Sequence, residues 1–253
     1  MKIRISLSVL VLLFITPFMT AANAQNERLE QLITHFQDKG TDIRPLLNDD
    51  RFAHVDRITK KFTRSAEKRI ESLDDYKKII GFDHKARKSM DFYNVYKNDL
   101  AAAEKEYGIP KEVIVAIIGV ESDYGANRGS YNPFNVYVSM YVEDYRSKFA
   151  LTQLEELLEW TERNEVDVHT LVSSYAGAMS FAQFIPSSLN RWWVGKDLYY
   201  MPNNIRSVAN YLAYFKNKTG SLETAVLRYN PSSLYQQAVL SLADEVKSRS
   251  NSE

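Results

Sequence analysis

The residues with the clearest chemical potential lie in three short segments. The first is the end of KEVIVAIIGVES, residues 111–122, where a run of Ile, Val and Ala closes on Glu121. A carboxyl held at the end of an apolar helix is stripped of water, and desolvation raises its pKa. A carboxyl that stays protonated near neutrality is what a general acid requires. The plain alternative is a helix-end Glu that simply reaches solvent. The second segment is SSYAGAMSFAQFIPSS, residues 173–188, which mixes small and polar residues that could line a cleft. Gly177 and Ala178 allow close backbone approach, and Gln183 offers both a donor and an acceptor to an amide or hydroxyl group. Met179 and Phe181 read as ordinary core. The third, LRYNPSSLY, residues 227–235, sets Tyr229 and Asn230 directly before Pro231, polar and conformationally restricted at a helix start. Taken alone it reads as a capping turn.

Other chemistries find few residues to carry them. His35, His54, His84 and His169 are scattered, with no short ligand spacing to one another, and there is no Cys, so no metal site is expected. No Gly-rich phosphate loop and no Gly-x-Ser-x-Gly elbow is present. Asp123 lies only two residues from Glu121. On a continuing helix it would face elsewhere, so it reads as a loop or capping residue rather than a second catalytic acid.

The elements that must position these segments read as helices. Leu29, Leu32, Ile33 and Phe36 show helical spacing over 26–38, and Gly40 ends the pattern. Residues 41–82 are shorter and mixed, with a loop at Asn48-Asp49-Asp50 and a charged stretch, KKFTRSAEKR. Residues 83–107 predict one long helix closed by Gly108. Pro110 opens the next, which is apolar nearly all round and therefore buried. Gly125 and Gly129 mark an irregular loop. Further helices are expected at about 144–163, 178–192, 203–217, 221–228 and 231–249, with a break at 173–177 and a loop over VGKDLYYMPNN. No alternating strand pattern of useful length appears, so the class is all-α.

The chain has 253 residues, 45% of them hydrophobic, enough for a real core. Its 32 basic and 32 acidic residues cancel, which gives no general attraction to nucleic acid or anionic lipid. With 16 Tyr and 12 Phe against 3 Trp it is Tyr-rich, and Tyr suits surfaces that are partly apolar and partly hydrogen-bonding. The N-terminus carries Lys2 and Arg4, an apolar run from Ile5 to about Met19, and Ala22-Asn23-Ala24, a small-x-small cleavage signal. This is the pattern of a secretory signal peptide over 1–24, with a mature chain from Gln25 and no stable membrane insertion after cleavage. The run is short for a membrane span and Pro17 interrupts it. Because the sequence has no Cys, no lipid on an N-terminal Cys is expected.

In combination, IPKEVIVAIIGVES (109–122), SSYAGAMSFAQFIPSSL (173–189), IRSVANYL (205–212) and RYNPSSLYQQAV (228–239) resemble the lysozyme-like domain of lytic transglycosylases, of the membrane-bound lytic transglycosylase B type. RFAHVDRIT (51–59) is similar to that family's N-terminal lobe, and the resemblance covers most of the chain from about residue 30. It implies a small helical lobe over 25–82, a lysozyme-like domain over 83–253, and cleavage of peptidoglycan glycan strands between N-acetylmuramic acid and N-acetylglucosamine. The product would carry a 1,6-anhydromuramic end. By position, Glu121 would be the single acid/base, Ser174 would hydrogen-bond near it, and Gln183, Tyr211, Tyr229, Asn230 and Tyr235 would line the cleft. A periplasmic monomer without cofactor is expected.

Two departures from the family's pattern stand out. Some members carry a calcium loop after the Pro-Ser-Ser helix; here that place reads WWVGKDLYYMPNN, with Asp197 as its only carboxylate. Calcium takes about six to eight oxygens, so no such site is expected. Only 17 residues separate Tyr211 from Tyr229, which leaves no room for the small extra domain often found there. A muramidase on the same fold would need a second carboxylate to hold a water, and a non-catalytic wall-binding protein would not need Glu121.

Overall fold

The computed structural model describes residues 21–63 and 70–252. Residues 1–20, most of the expected signal peptide, and 64–69, within the charged stretch, lie outside the described residues. The described chain is helical: α1 (Ala21–Asp38), α2 (Arg44–Leu47), α3 (Ile58–Thr63), α4 (Leu73–Ile79), α5 (Phe82–Val95), α6 (Lys97–Tyr107), α7 (Lys111–Ser122), α8 (Pro133–Val142), α9 (Ser147–Asn164), α10 (Pro186–Trp192), α11 (Met201–Thr219), α12 (Leu222–Tyr229) and α13 (Ser233–Ser250). Among the described residues the only β pairing is in isolated bridges, Tyr131–Ser173, Ser173–Met179 and Met179–Phe184.

Helix α7 occupies the middle. Every residue from Val113 to Gly119 is buried, so the helix has no water-facing side, as its apolar sequence requires. It packs against α5, α6, α11 and α13. A second layer is built on α8, which packs against α1 and α9, with α10 on the far side of α9. Pro110 sits just before α7 as its N-cap, in extended conformation, rather than inside the first turn.

The structure departs from the sequence reading at three places. Residues 83–107 form two helices, because Tyr96 leaves helical geometry at φ −107°, ψ 22°. The two halves serve different partners: α5 packs on α7 and α13, α6 chiefly on α11, and one straight helix would not reach both. The segment PFNVYVSMYV, not assigned from sequence, is α8. Asn132 caps it by accepting from the Asn135 amide at 3.2 Å, Pro133 occupies its first turn, and nearly every side chain is buried. A helix buried on all sides shows no amphipathic period, and its Val, Tyr and Phe content argues weakly for helix.

The third correction concerns the expected helix over 178–192, of which only Pro186–Trp192 is helical. Residues 178–185 form a tight loop in which Met179 and Phe184 exchange both main-chain hydrogen bonds at 2.8 Å. Ser180 and Gln183 have φ of +67° and +53°. Buried Asn204 of α11 clamps this loop: its Oδ1 accepts from the Ala182 amide at 3.0 Å while its Nδ2 donates to the Leu198 and Tyr200 carbonyls. α11 itself begins at Met201, inside the segment expected to be loop.

The way α7 ends decides where Glu121 points. Asp123 and Tyr124 both adopt left-handed conformation, φ +52° and +61°, which costs an L-residue about 1–2 kcal/mol each. Local contacts offset this. The Ser122 hydroxyl donates to the Ile118 carbonyl at 3.1 Å and accepts from the Gly125 amide at 3.0 Å. Asp123 serves as the C-cap, as its position suggested, and faces Lys88 at 2.9 Å, His84 at 3.5 Å and buried Lys85 at 3.6 Å. Burial pushes the Asp123 carboxyl up, but Lys88, Lys85 and His84 outweigh it and hold it below its ordinary value. Burial in turn lowers the Lys85 ammonium, which Asp123 only partly restores. Tyr124 folds back so that its hydroxyl donates to the Lys85 carbonyl at 2.9 Å, with its ring pressed on Gly119.

Two predictions follow from this turn. A Cβ at Gly119 would lie 2.6 Å from the Tyr124 ring. Gly119→Ala should therefore destabilise the protein by about 1–2 kcal/mol, although Ala is the better helix former. Urea unfolding measures this, and a stability gain would show that Tyr124 does not need the space. Asp123→Asn keeps a residue tolerant of left-handed backbone but leaves Lys85 buried without its counter-charge. The loss should be about 3 kcal/mol at pH 7. Because the folded-state pKa of Asp123 lies below its unfolded value of 3.8, its contribution is complete above that value and lost as pH falls through the lower one. The difference between wild type and variant should therefore close only in strong acid.

Candidate functional site

Glu121 sits in the last turn of α7, half-buried, where the helix emerges from the core. Across from it the first turn of α13 brings in Tyr235, whose hydroxyl donates to Glu121 Oε1 at 2.6 Å. Tyr235 is 2% exposed, and its helix is started by Ser232, which accepts from the Tyr235 amide. The phenol is thus a direct hydrogen-bond donor to the carboxyl group. Burial first, and then the Glu121 charge, push the Tyr235 phenol well above its ordinary pKa, so it remains a donor.

Tyr229, at the end of α12, is the second phenol near this carboxyl. Burial and then Glu121 raise its pKa as well. Its hydroxyl donates to the Ala182 carbonyl at 2.6 Å, which ties the end of α12 to the loop carrying Gln183. Tyr211, from α11, donates to the Arg228 carbonyl at 2.6 Å and packs edge-on against Tyr229 with centroids 4.9 Å apart. Burial pushes its pKa up to about 12. Each of these three hydroxyls is thus held by a protein acceptor, and Tyr211 and Tyr229 turn part of their ring surface to the pocket. Gln183 donates from Nε2 to the Ser180 carbonyl at 3.0 Å, which leaves its Oε1 as the acceptor. Its left-handed backbone turns it toward a pocket of about 260 Å³ walled by Gln183, Phe184, Ser188, Tyr211, Tyr229 and Pro231.

The fold therefore brings Gln183, Tyr211 and Tyr229 to one pocket, and Glu121 and Tyr235 to an adjoining hydrogen bond, with Tyr229 shared electrostatically between them. Ser174 and Asn230 do not wall that pocket. Ser174 is half-buried in the bridged loop, where its amide donates to the Ala178 carbonyl at 2.9 Å. Asn230 is the extended C-cap of α12, its carbonyl accepting from Ser232, as a residue preceding proline should be. Sequence reasoning missed Lys85, since a buried lysine on a polar-looking helix leaves no periodic signal, and Arg228, whose place at the pocket mouth depends on where α12 ends. Gly177 was rightly singled out for close approach: at φ +80° it lies so near Tyr137 that a Cβ would fall 2.3 Å from the ring, and its carbonyl accepts from the Tyr137 hydroxyl.

The loop after α10, where no calcium site is expected, is tied by its own residues. Asp197 Oδ1 accepts from the Tyr199 amide at 2.7 Å, and Asn203 donates to the Asp197 carbonyl at 3.0 Å. Among the described residues no group of three or more His, Asp or Glu is arranged to hold a metal ion. None of the described helices is long and apolar enough to cross a membrane.

Comparison with known proteins agrees with this architecture. The chain is 33% identical over 127 residues to membrane-bound lytic murein transglycosylase B of Escherichia coli K12, a match that covers 47% of this chain and 35% of that protein. It thus spans about a third of the length of that relative. Soluble lytic transglycosylase SltB1 from Pseudomonas aeruginosa superposes with a TM-score of 0.78 at 27% identity, covering 90% of this chain and 100% of that one. SltB3 of the same organism, in complex with NAG-NAM-pentapeptide, superposes with a TM-score of 0.77 over 88% of this chain and 79% of that one. At 18% identity this last likeness speaks for the fold alone. The helical, lysozyme-like architecture is shared throughout, and the family model described as the transglycosylase SLT domain matches residues 15–223. With that much of its length matched, the chain belongs to the transglycosylase SLT domain family.

Proposed function

We propose that this protein is a peptidoglycan lytic transglycosylase, which cleaves the β-1,4 bond between N-acetylmuramic acid and N-acetylglucosamine and leaves a 1,6-anhydromuramic end. The observation that carries this reading is the 2.6 Å hydrogen bond from Tyr235 to Glu121 at the mouth of an apolar helix. It fixes one carboxyl beside a pocket lined by tyrosines and a glutamine. Family membership and the names of the relatives, lytic transglycosylases in each case, point the same way.

One acid suffices because the substrate supplies the nucleophile. Protonated Glu121 gives its proton to the glycosidic oxygen as the C1–O bond breaks. The muramic N-acetyl group shares the positive charge that develops at C1. The C6 hydroxyl then attacks C1, and the Glu121 carboxylate, steadied by Tyr235, takes the hydroxyl proton, so that the acid is restored and no water is consumed. This intramolecular attack gains from proximity. Asp123, two residues on, is committed to Lys88 and Lys85, so it is not a second catalytic carboxylate of the kind hydrolytic glycosidases use. Gln183, Tyr211 and Tyr229 seat the saccharide, with Ser174 and Asn230 at its margins. No cofactor or metal takes part. Residues 1–24 direct export to the periplasm, and the mature monomer consists of a lobe over 25–82 on a catalytic domain over 83–253.

Digestion of purified sacculi by residues 25–253, read by mass spectrometry, tests the reading. Anhydro-ended muropeptides are expected, with Glu121→Gln slower by a factor on the order of 10²–10⁴ or more. Reducing ends from the wild type would replace it with a hydrolase. Tyr235→Phe removes a donor to the carboxylate, which should lower the rate roughly ten- to a hundredfold. A donated hydrogen bond favours the charged form, so its loss raises the proton affinity of Glu121. Activity needs the acid form, and the alkaline limb of the pH–rate profile should accordingly move to higher pH. An unmoved limb would show that Tyr235 only positions the side chain.

A further inference from the structure

The walls of the Gln183–Tyr229 pocket continue past it on two helix faces. Ser188 and Trp192 are four residues apart on α10, and Tyr211, Tyr214 and Phe215 are three and four apart on α11, so each set shares one face of its helix. Ser188 and Tyr211 belong to the pocket. One turn further, about 5.4 Å along each helix, stand Trp192 and Tyr214. Trp192 meets Tyr211 edge-on at 4.7 Å between centroids, and lies 5.5 Å from Tyr214 and 5.3 Å from Phe215. The aromatic row is thus continuous from the pocket wall outward. Tyr214, at its outer end, is 47% exposed. Arg191 lies over the Trp192 ring at 6.0 Å and Lys218 over Tyr214 at 5.9 Å, which gives the row a positive rim.

We propose that Trp192 and Tyr214 form a distal saccharide platform, which takes the next N-acetylated amino-sugar ring of a glycan strand leaving the pocket past Tyr211. The apolar face of a sugar ring packs on an aromatic surface of this kind while its edge stays hydrated. The spacing of one helical turn matches the step from one ring to the next. Lys218, with Arg191 set between the Trp192 ring and the Glu156 carboxylate 3.9 Å from it, places positive charge where the lactyl and peptide carboxylates of a peptidoglycan strand would pass. The platform rests on the function proposed above and adds to it a preference for longer strands.

The test uses Glu121→Gln protein, which holds strands without cutting them, and MurNAc–GlcNAc oligomers of one, two and four disaccharides. Calorimetry should show tighter binding with length. Adding Tyr214→Ala should reduce that length-dependent gain by roughly three- to tenfold and leave the single disaccharide unaffected. Tyr214→Trp should retain it. An unchanged length dependence in the Ala variant, with binding otherwise intact, would overturn the platform alone. Failure of the Glu121→Gln parent to bind any oligomer would overturn the platform together with the proposed function. Tyr214 is exposed at the surface, and thermal melting of each variant separates lost contact from lost fold.

Discussion

The structure depends on one constraint: an apolar helix in the middle of the molecule must deliver a carboxylic acid at its end. α7 can lie in the core because its side chains from Val113 to Gly119 need no water. Glu121 then has to emerge within a single turn, and the chain achieves this by abandoning helical geometry at Asp123 and Tyr124. Such a turn is unfavourable in isolation. It persists because Lys88, Lys85 and His84 gather round Asp123, and because Gly119 leaves room for the Tyr124 ring. α5 supplies those cations from its first two turns, where it meets the end of α7.

The electrostatics of the site follow from the same arrangement. The Asp123 carboxylate is neutralised on the α5 side, while Glu121 is met on the α13 side by a neutral phenol. Two carboxyls separated by one residue therefore occupy different environments, one bound to cations and one held by a hydroxyl beside an open pocket. This division leaves one of them available beside the pocket while the other keeps the turn closed. The tyrosines around the pocket spend their hydroxyls on the Ala182 and Arg228 carbonyls and on Glu121 itself. Their rings are thereby locked, and a rigid aromatic wall has little freedom left to lose.

The loop at 178–185 shows how tertiary contacts overrule local preference. AMSFAQFI has the composition of a helix, and nothing in its spacing warns otherwise. Asn204 of α11, the Met179–Phe184 pairing and the link to Ser173 outweigh that preference, and they force Ser180 and Gln183 into left-handed conformation. Strain of this kind gathers where a side chain must be aimed, and here the aimed side chain is Gln183. The continuation of that wall by Trp192 and Tyr214 makes the cleft longer than the pocket alone.

By itself the sequence determined that the protein is helical, that the helix over 111–122 runs through the core, and that Glu121, Gln183 and the Tyr229-Asn230 pair are the residues to watch. Helical periodicity, an unbroken apolar run and residue type are local properties, and they are legible one segment at a time. Only the tertiary structure decided the rest. Tyr235 lies 114 residues from Glu121, yet its hydroxyl donates to that carboxyl. α8 is hidden by burial on all its faces, the helix at 83–107 is broken by two different packing partners, and Lys85 is buried because α5 meets the end of α7. Each depends on contacts between segments far apart in the chain, and no pattern within one segment encodes which distant segment it will meet.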